Sequence, residues 1–140
     1  MRLSGEEGAE TLVIQLKARP DESEDFVAID QFGMLLFAEA PQVCTEALRV
    51  LKDGGIFEVS GVDFLWIVQR YQAIGEVDSL LGDALYGTTR RAVWDEKTLA
   101  KVLLLSGFYK AWVGRVTELP RHMILAKALK FKVESPASEK

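Results

Sequence analysis

At 140 residues the chain is long enough for one compact domain and too short for two of ordinary size. Its hydrophobic fraction of 49% can fill a sizeable core, and its charged fraction of 27% is ordinary for a globular protein. A net charge of −4 and a pI near 5.1 argue against a general nucleic-acid-binding surface. The one cysteine, Cys44, excludes an intramolecular disulfide, and with the one histidine, His122, it offers no zinc-ligand set. No apolar run approaches the roughly 20 residues that span a bilayer, and residues 1–10 are polar and acidic, unlike a signal peptide. The expectation is a cytoplasmic protein with no metal and no membrane or nucleic-acid partner.

Hydrophobic periodicity and turn chemistry divide the chain. Residues 1–9 read as flexible. Residues 11–18 (TLVIQLKA) are rich in strand formers, with Leu12, Ile14 and Leu16 on one face. After an acidic turn, residues 26–30 (FVAID) form a short apolar run, the pattern of a strand covered on both faces. Residues 41–52 read as a helix with Pro41 in its first turn and Val43, Ala47, Val50 and Leu51 on one stripe. Gly54 and Gly55 are placed to stop it, and residues 56–60 (IFEVS) form the next strand. Asp63 can cap a helix whose buried stripe is Phe64, Ile67, Val68, Tyr71 and Ile74. Residues 79–91 read as a short helix and then a loop. Asp95 starts another helix, with Trp94 and Leu99 at the two positions of a hydrophobic staple and Gly107 at the end. Residues 109–117 and 122–132 close the fold as two strands around Pro120, and residues 133–140 read as a disordered tail.

A single α/β domain over residues 10–132 follows. Its strand–helix–strand unit from residue 26 should be parallel and right-handed. The closing strands, joined by a short turn, should be antiparallel. The result is a mostly parallel sheet with an antiparallel C-terminal strand pair and helices on its faces.

That ending resembles the C-terminal half of the class I S-adenosylmethionine-dependent methyltransferase fold, a Rossmann-like sheet. ESEDFVAID at 22–30 looks like the family's fourth strand with its acidic approach. EALRVLKDGG at 46–55 is similar to the helix and turn before the fifth strand, where a proline usually stands in place of Asp53. WDEKTLAKVLLLSGF at 94–108 resembles the late helix ending in Gly-Phe, and HMILAKALK at 122–130 the final reversed strand. The family holds its cofactor mainly with a Gly-rich loop after the first strand and an acidic residue ending the second. Here only 25 residues precede Phe26. Gly5 and Gly8 stand ahead of the first expected strand, with no helix between them and Phe26, so the sheet reads as truncated and half of the cofactor site as absent. Residues 12–16 are expected to replace the lost neighbour as an antiparallel hairpin with residues 26–30. If they do not, an open apolar edge calls for a homodimer or a protein partner.

Ligands of open α/β sheets bind beyond the carboxyl ends of strands. That rule selects Asp30 and Gln31, and then Ser60, Gly61 and Asp63; the resemblance makes Asp30 and Gln31 cofactor-facing candidates, with Asp30 the one catalytic candidate. A turn or cap is the plainer account of Asp30, and a cap still more so of Asp63. The resemblance makes Tyr86, Arg90 and Arg91 substrate-covering candidates, and paired arginines can grip a carboxylate or phosphate; a solvated loop is the plainer account. His122 has no partner fixed by the sequence, Cys44 reads as an inert core thiol, and Trp66 and Trp112 read as core or interface residues. The function that follows is a degenerate methyltransferase-like module with no cofactor of its own. The alternative is an S-adenosylmethionine-dependent methyltransferase whose cofactor-binding half comes from another chain or across a homodimer.

Overall fold

The computed structural model of the chain describes residues 1–85 and 92–130. Its strands are β1 (Arg2–Ser4), β2 (Glu24–Asp30), β3 (Leu51–Val62), β4 (Lys110–Gly114) and β5 (Met123–Leu129). Its helices are α1 (Ala9–Lys17), α2 (Ala40–Val50), α3 (Phe64–Ile74), α4 (Ser79–Leu85) and α5 (Glu96–Leu105), with single 3-10 turns at Gly5–Glu7 and Phe32–Met34. The strands form one sheet in the order β1-β2-β3-β5-β4. β1, β2 and β3 run parallel, and β5 is antiparallel to both β3 and β4. The mostly parallel sheet ending in an antiparallel pair is therefore present, with β5 its reversed strand.

The first eighteen residues depart from expectation. Residues 1–9, expected to be flexible, contain β1, which pairs with β2 through Arg2–Ala28, Leu3–Ile29 and Ser4–Asp30. Residues 11–17 are helix instead of strand. Leu12, Val13 and Leu16 are buried while Ile14 is 61% exposed, so the i, i+1, i+4 spacing of a helix wins over the alternation of Leu12, Ile14 and Leu16. No hairpin forms with β2; the edge expected to be open is occupied by β1. Gly5 and Gly8 accordingly lie between a strand and a helix, and α1 is the helix expected to be missing before Phe26. A second correction concerns Gly54 and Gly55. α2 already ends at Val50, with Leu51 extended, and the glycines sit where the β2–β3 register shifts between Glu24 and Phe26.

All three long core helices lie on one face of the sheet. Leu12 and Leu16 of α1, Val43, Cys44 and Ala47 of α2, and Leu99 and Leu103 of α5 share one buried cluster with Val27, Ile29, Phe57, Val59, Ile124, Ala126 and Ala128. Successive strand residues point to opposite faces, so Phe26, Ala28, Asp30, Ile56, Glu58, Ser60, Leu125, Lys127 and Trp112 belong to the other face. β2 is thus not covered by helices on both sides. α3 and α4 stand beyond the end of β3 with a cluster of their own, Val62, Ile67, Leu81 and Ala84. Of the stripe expected to be buried on α3, only Ile67 is; Phe64, Tyr71 and Ile74 are exposed.

The helix caps match their sequence signals. Asp63 accepts from the Leu65 N–H at 3.1 Å and Asp95 from the Thr98 N–H at 2.6 Å. Trp94 and Leu99, the staple residues, are both buried. Gly107 follows α5 at φ +113°, where a Cβ would lie 2.8 Å from Leu48 Cδ2. Gly107→Ala should lower stability by about 1–3 kcal/mol, read as an earlier urea midpoint with an unchanged m-value.

Candidate functional site

The ends of β1, β2 and β3 are where a ligand would bind an open parallel sheet, and on the helix-covered side they are closely packed. At the end of β2, Gln31 adopts a left-handed conformation (φ +56°), and its carbonyl accepts from the Met34 N–H at 3.0 Å. The same carbonyl lies against Gly5, the residue after β1, so closely that a Cβ on Gly5 would overlap it. Between β2 and β3 the space is filled by aromatic side chains. Phe32 and Trp94 are buried, with ring centroids 5.6 Å apart, and Phe37 meets Trp94 edge-on at 4.5 Å.

The end of β3 is tied by one carboxylate. Asp63, 1% exposed, uses Oδ1 to cap α3 and Oδ2 to accept from Arg115 Nη2 at 2.5 Å. Its N–H donates to the His122 carbonyl at 2.8 Å, and Trp94 bridges to it from the other side. Arg115 also donates to the carbonyl of Arg121, so the segment between β4 and β5 is held at both ends. A burial cost for a lone carboxylate is thereby met with a cation and one backbone N–H donor. An open groove of about 750 Å³ lies beside this knot, between α3 and the β4–β5 connection, with Trp66, Gln69, Arg115 and Arg121 among its walls. The Trp66 ring sits 5.6 Å from that of His122.

On the helix-free face, Arg2 Nη1 donates to Asp30 Oδ1 at 2.7 Å and Arg2 Nη2 lies 3.5 Å from Glu58. Lys127 approaches Glu58 at 4.0 Å. The Asp30 hydrogen bond and charge push the Arg2 pKa up. Since Arg2 pairs with Ala28, and Ala28 with Glu58, the ion pair spans Ala28 and accounts for its burial. A cavity of about 450 Å³ separates these groups from Glu118 and Leu119 of the β4–β5 connection.

Asp30, expected to face a cofactor, is thus held by Arg2, and the backbone of Gln31 is committed to a turn. Ser60 is buried on the helix-free face, and Gly61 sits behind Trp94 and Gly33. Tyr86, Arg90 and Arg91 lie outside the described residues, as do residues 133–140. Trp112 is exposed and Trp66 partly buried. Arg2, Glu58 and Arg115 were not legible as interacting residues, because each depends on a contact between distant segments with no local signature. Among the described residues no group of His, Cys, Asp and Glu is placed to hold a metal, and no helix is long and apolar enough to cross a membrane.

No family model and no curated protein matches the chain. Solved structures do. The chain is similar to an S-adenosylmethionine-dependent methyltransferase from Archaeoglobus fulgidus (TM-score 0.61, 12% identity, covering 85% of this chain and 65% of that one). It is similar also to a possible exported protein from Bordetella parapertussis (0.60, 17%, 83% and 42%). A third is a putative methyltransferase from Haloferax volcanii, solved in complex with a methyltransferase activator (0.55, 14%, 84% and 58%). The fold is therefore class I methyltransferase-like. The chain spans 33% to 65% of the length of structures it matches. After β1 the Gly5 backbone packs directly against the Gln31 carbonyl, so no side chain fits at that position.

Two outcomes follow from this geometry. Arg115→Ala should cost about 2–3 kcal/mol in urea unfolding, since it leaves Asp63 buried and unpaired. The loss stays below that of a fully enclosed pair because the Arg115 side chain is 39% exposed; Asp63→Asn, which keeps the oxygen that caps α3, should cost less. Burial pushes the Cys44 thiol from an ordinary 9.0 up to about 12, against the Ser106 hydrogen bond. The folded chain should resist thiol reagents near pH 8 until urea unfolds it. The contribution of this thiol to stability is complete below pH 9 and is lost as pH rises towards 12.

Proposed function

We propose that this chain is a methyltransferase-like domain without independent cofactor binding, acting as a dimeric or partner-binding module. One observation carries the reading: the strand order β1-β2-β3 never reverses, and both crossover helices pack in one layer. Binding crevices of doubly wound sheets open where strand order reverses and successive crossovers leave to opposite faces. Among the described residues the strand order shows no such reversal, and the close packing of Gly5 on the Gln31 carbonyl is in keeping with that reading. The helix-free sheet face and the exposed apolar residues of α3 supply surface for a partner. The single, buried cysteine is compatible with a cytoplasmic setting for such a module.

Calorimetric titration of the purified chain with S-adenosylmethionine, and then with S-adenosylhomocysteine, tests this. The expected result is no binding heat from a sample whose circular dichroism shows it folded. Binding at micromolar strength would overturn the reading in favour of an enzyme.

A further inference from the structure

Parallel sheets are almost always covered on both faces, yet the face opposite α1, α2 and α5 leaves Ile56 38% and Trp112 51% exposed. Phe26 and Leu129 beside them are only half-buried. We propose that a second copy of this chain docks there, sheet on sheet, across a two-fold axis parallel to the strands and midway between β3 and β5. The proposal rests on the module reading above and names its partner and surface.

Strand register sets which side chains share a row. One row across the face is Phe26, Ile56, Leu129 and Lys110; the next is Arg2, Ala28, Glu58, Lys127 and Trp112. A two-fold interface must be complementary to itself, because each residue meets the residue its own position is exchanged with. Rotation about the stated axis exchanges Ile56 with Leu129, an apolar pair. It exchanges Glu58 with Lys127, a carboxylate with an ammonium, and Ala28 with Trp112, which sets the indole over the Arg2 guanidinium that covers Ala28. Phe26 is exchanged with Lys110, an aromatic ring with a cation. All four exchanges are favourable. Glu58 is also already flanked by Arg2 and Lys127 of its own sheet, so docking leaves that carboxylate compensated. The β4–β5 connection bounds a cavity over Ser60 and Leu125 that reaches Arg2, Glu58 and Lys127 of the second row. The two sheets therefore meet most closely over the first row, reach the second at its edge, and splay towards the other end, where the two connections face each other.

Sedimentation velocity and light scattering test this on the full chain. The wild type should show twice its 15.6 kDa mass at micromolar concentration. Trp112→Glu, an exposed position that leaves the helix-covered core untouched, should halve that mass with an unchanged circular dichroism spectrum. Glu58→Lys and Lys127→Glu should each be monomeric alone. Mixed one to one they should recover the dimer, because each then meets its opposite charge across the axis. A monomeric wild type, a Trp112→Glu protein that stays dimeric, or a folded pair that fails to recover on mixing would overturn the interface. Titrating S-adenosylmethionine into the same samples keeps the two ideas apart. A monomer that binds none sinks only this interface, whereas a dimer that binds it sinks only the reading of the chain as cofactor-free.

Discussion

The handedness of a strand–helix–strand crossover governs this molecule. A right-twisted strand feeding a right-handed helix packs back onto its sheet in one sense. When β1, β2 and β3 are laid side by side in chain order, each crossover is forced onto the same face. α1 and α2 must then neighbour one another, and α5 joins the same layer against α2 and β4. Everything else follows from that one-sidedness. The core has a single thickness, and its strands alternate between a face that is wholly apolar and a face with room for Arg2, Asp30, Glu58 and Lys127.

The other organising element is the far end of β3. This strand runs twelve residues, long enough to emerge from the sheet and meet the segments that return from α4 and β4. A carboxylate there has to be satisfied from more than one direction, and Asp63 is, by the first turn of α3 and by Arg115, while its backbone N–H donates to the His122 carbonyl. The position that a Rossmann-like protein would present to a ligand has become a joint between chain segments.

How much of this the sequence discloses depends on whether the signal is local. Asp63 and Asp95 are legible as caps because capping is decided within three residues, and α2 because Pro41 and an apolar stripe agree. The reversed strand β5 is legible from its short connection. β1 is not, because three residues carry no periodicity, and α1 is misread because Leu12, Ile14 and Leu16 satisfy strand alternation while Leu12, Val13 and Leu16 satisfy a helix. Only the tertiary neighbour decides between them. On α3 the amphipathic pattern is correctly seen and its burial is not, because periodicity says which side is apolar and nothing about what covers it. The candidate site suffers most. Asp30 and Gln31 stand where the rule for parallel sheets puts them, but whether the crevice is open depends on Gly5, a residue from the opposite end of a crossover.

α3 and α4 are fastened to the rest of the molecule by few bonds. Their own cluster is separate from the main core, and Arg70 and Asp78 join the two helices to each other at 2.5 Å. Such an arrangement has the makings of a cooperative sub-global unit. Backbone amides of α3 and α4 would then exchange with solvent through a partial opening that leaves the sheet intact, while those of β2, β3 and β5 wait for global unfolding. Protection against exchange would fall off in a step at Asp63, and the molecule would behave as two units of unequal free energy joined at one carboxylate.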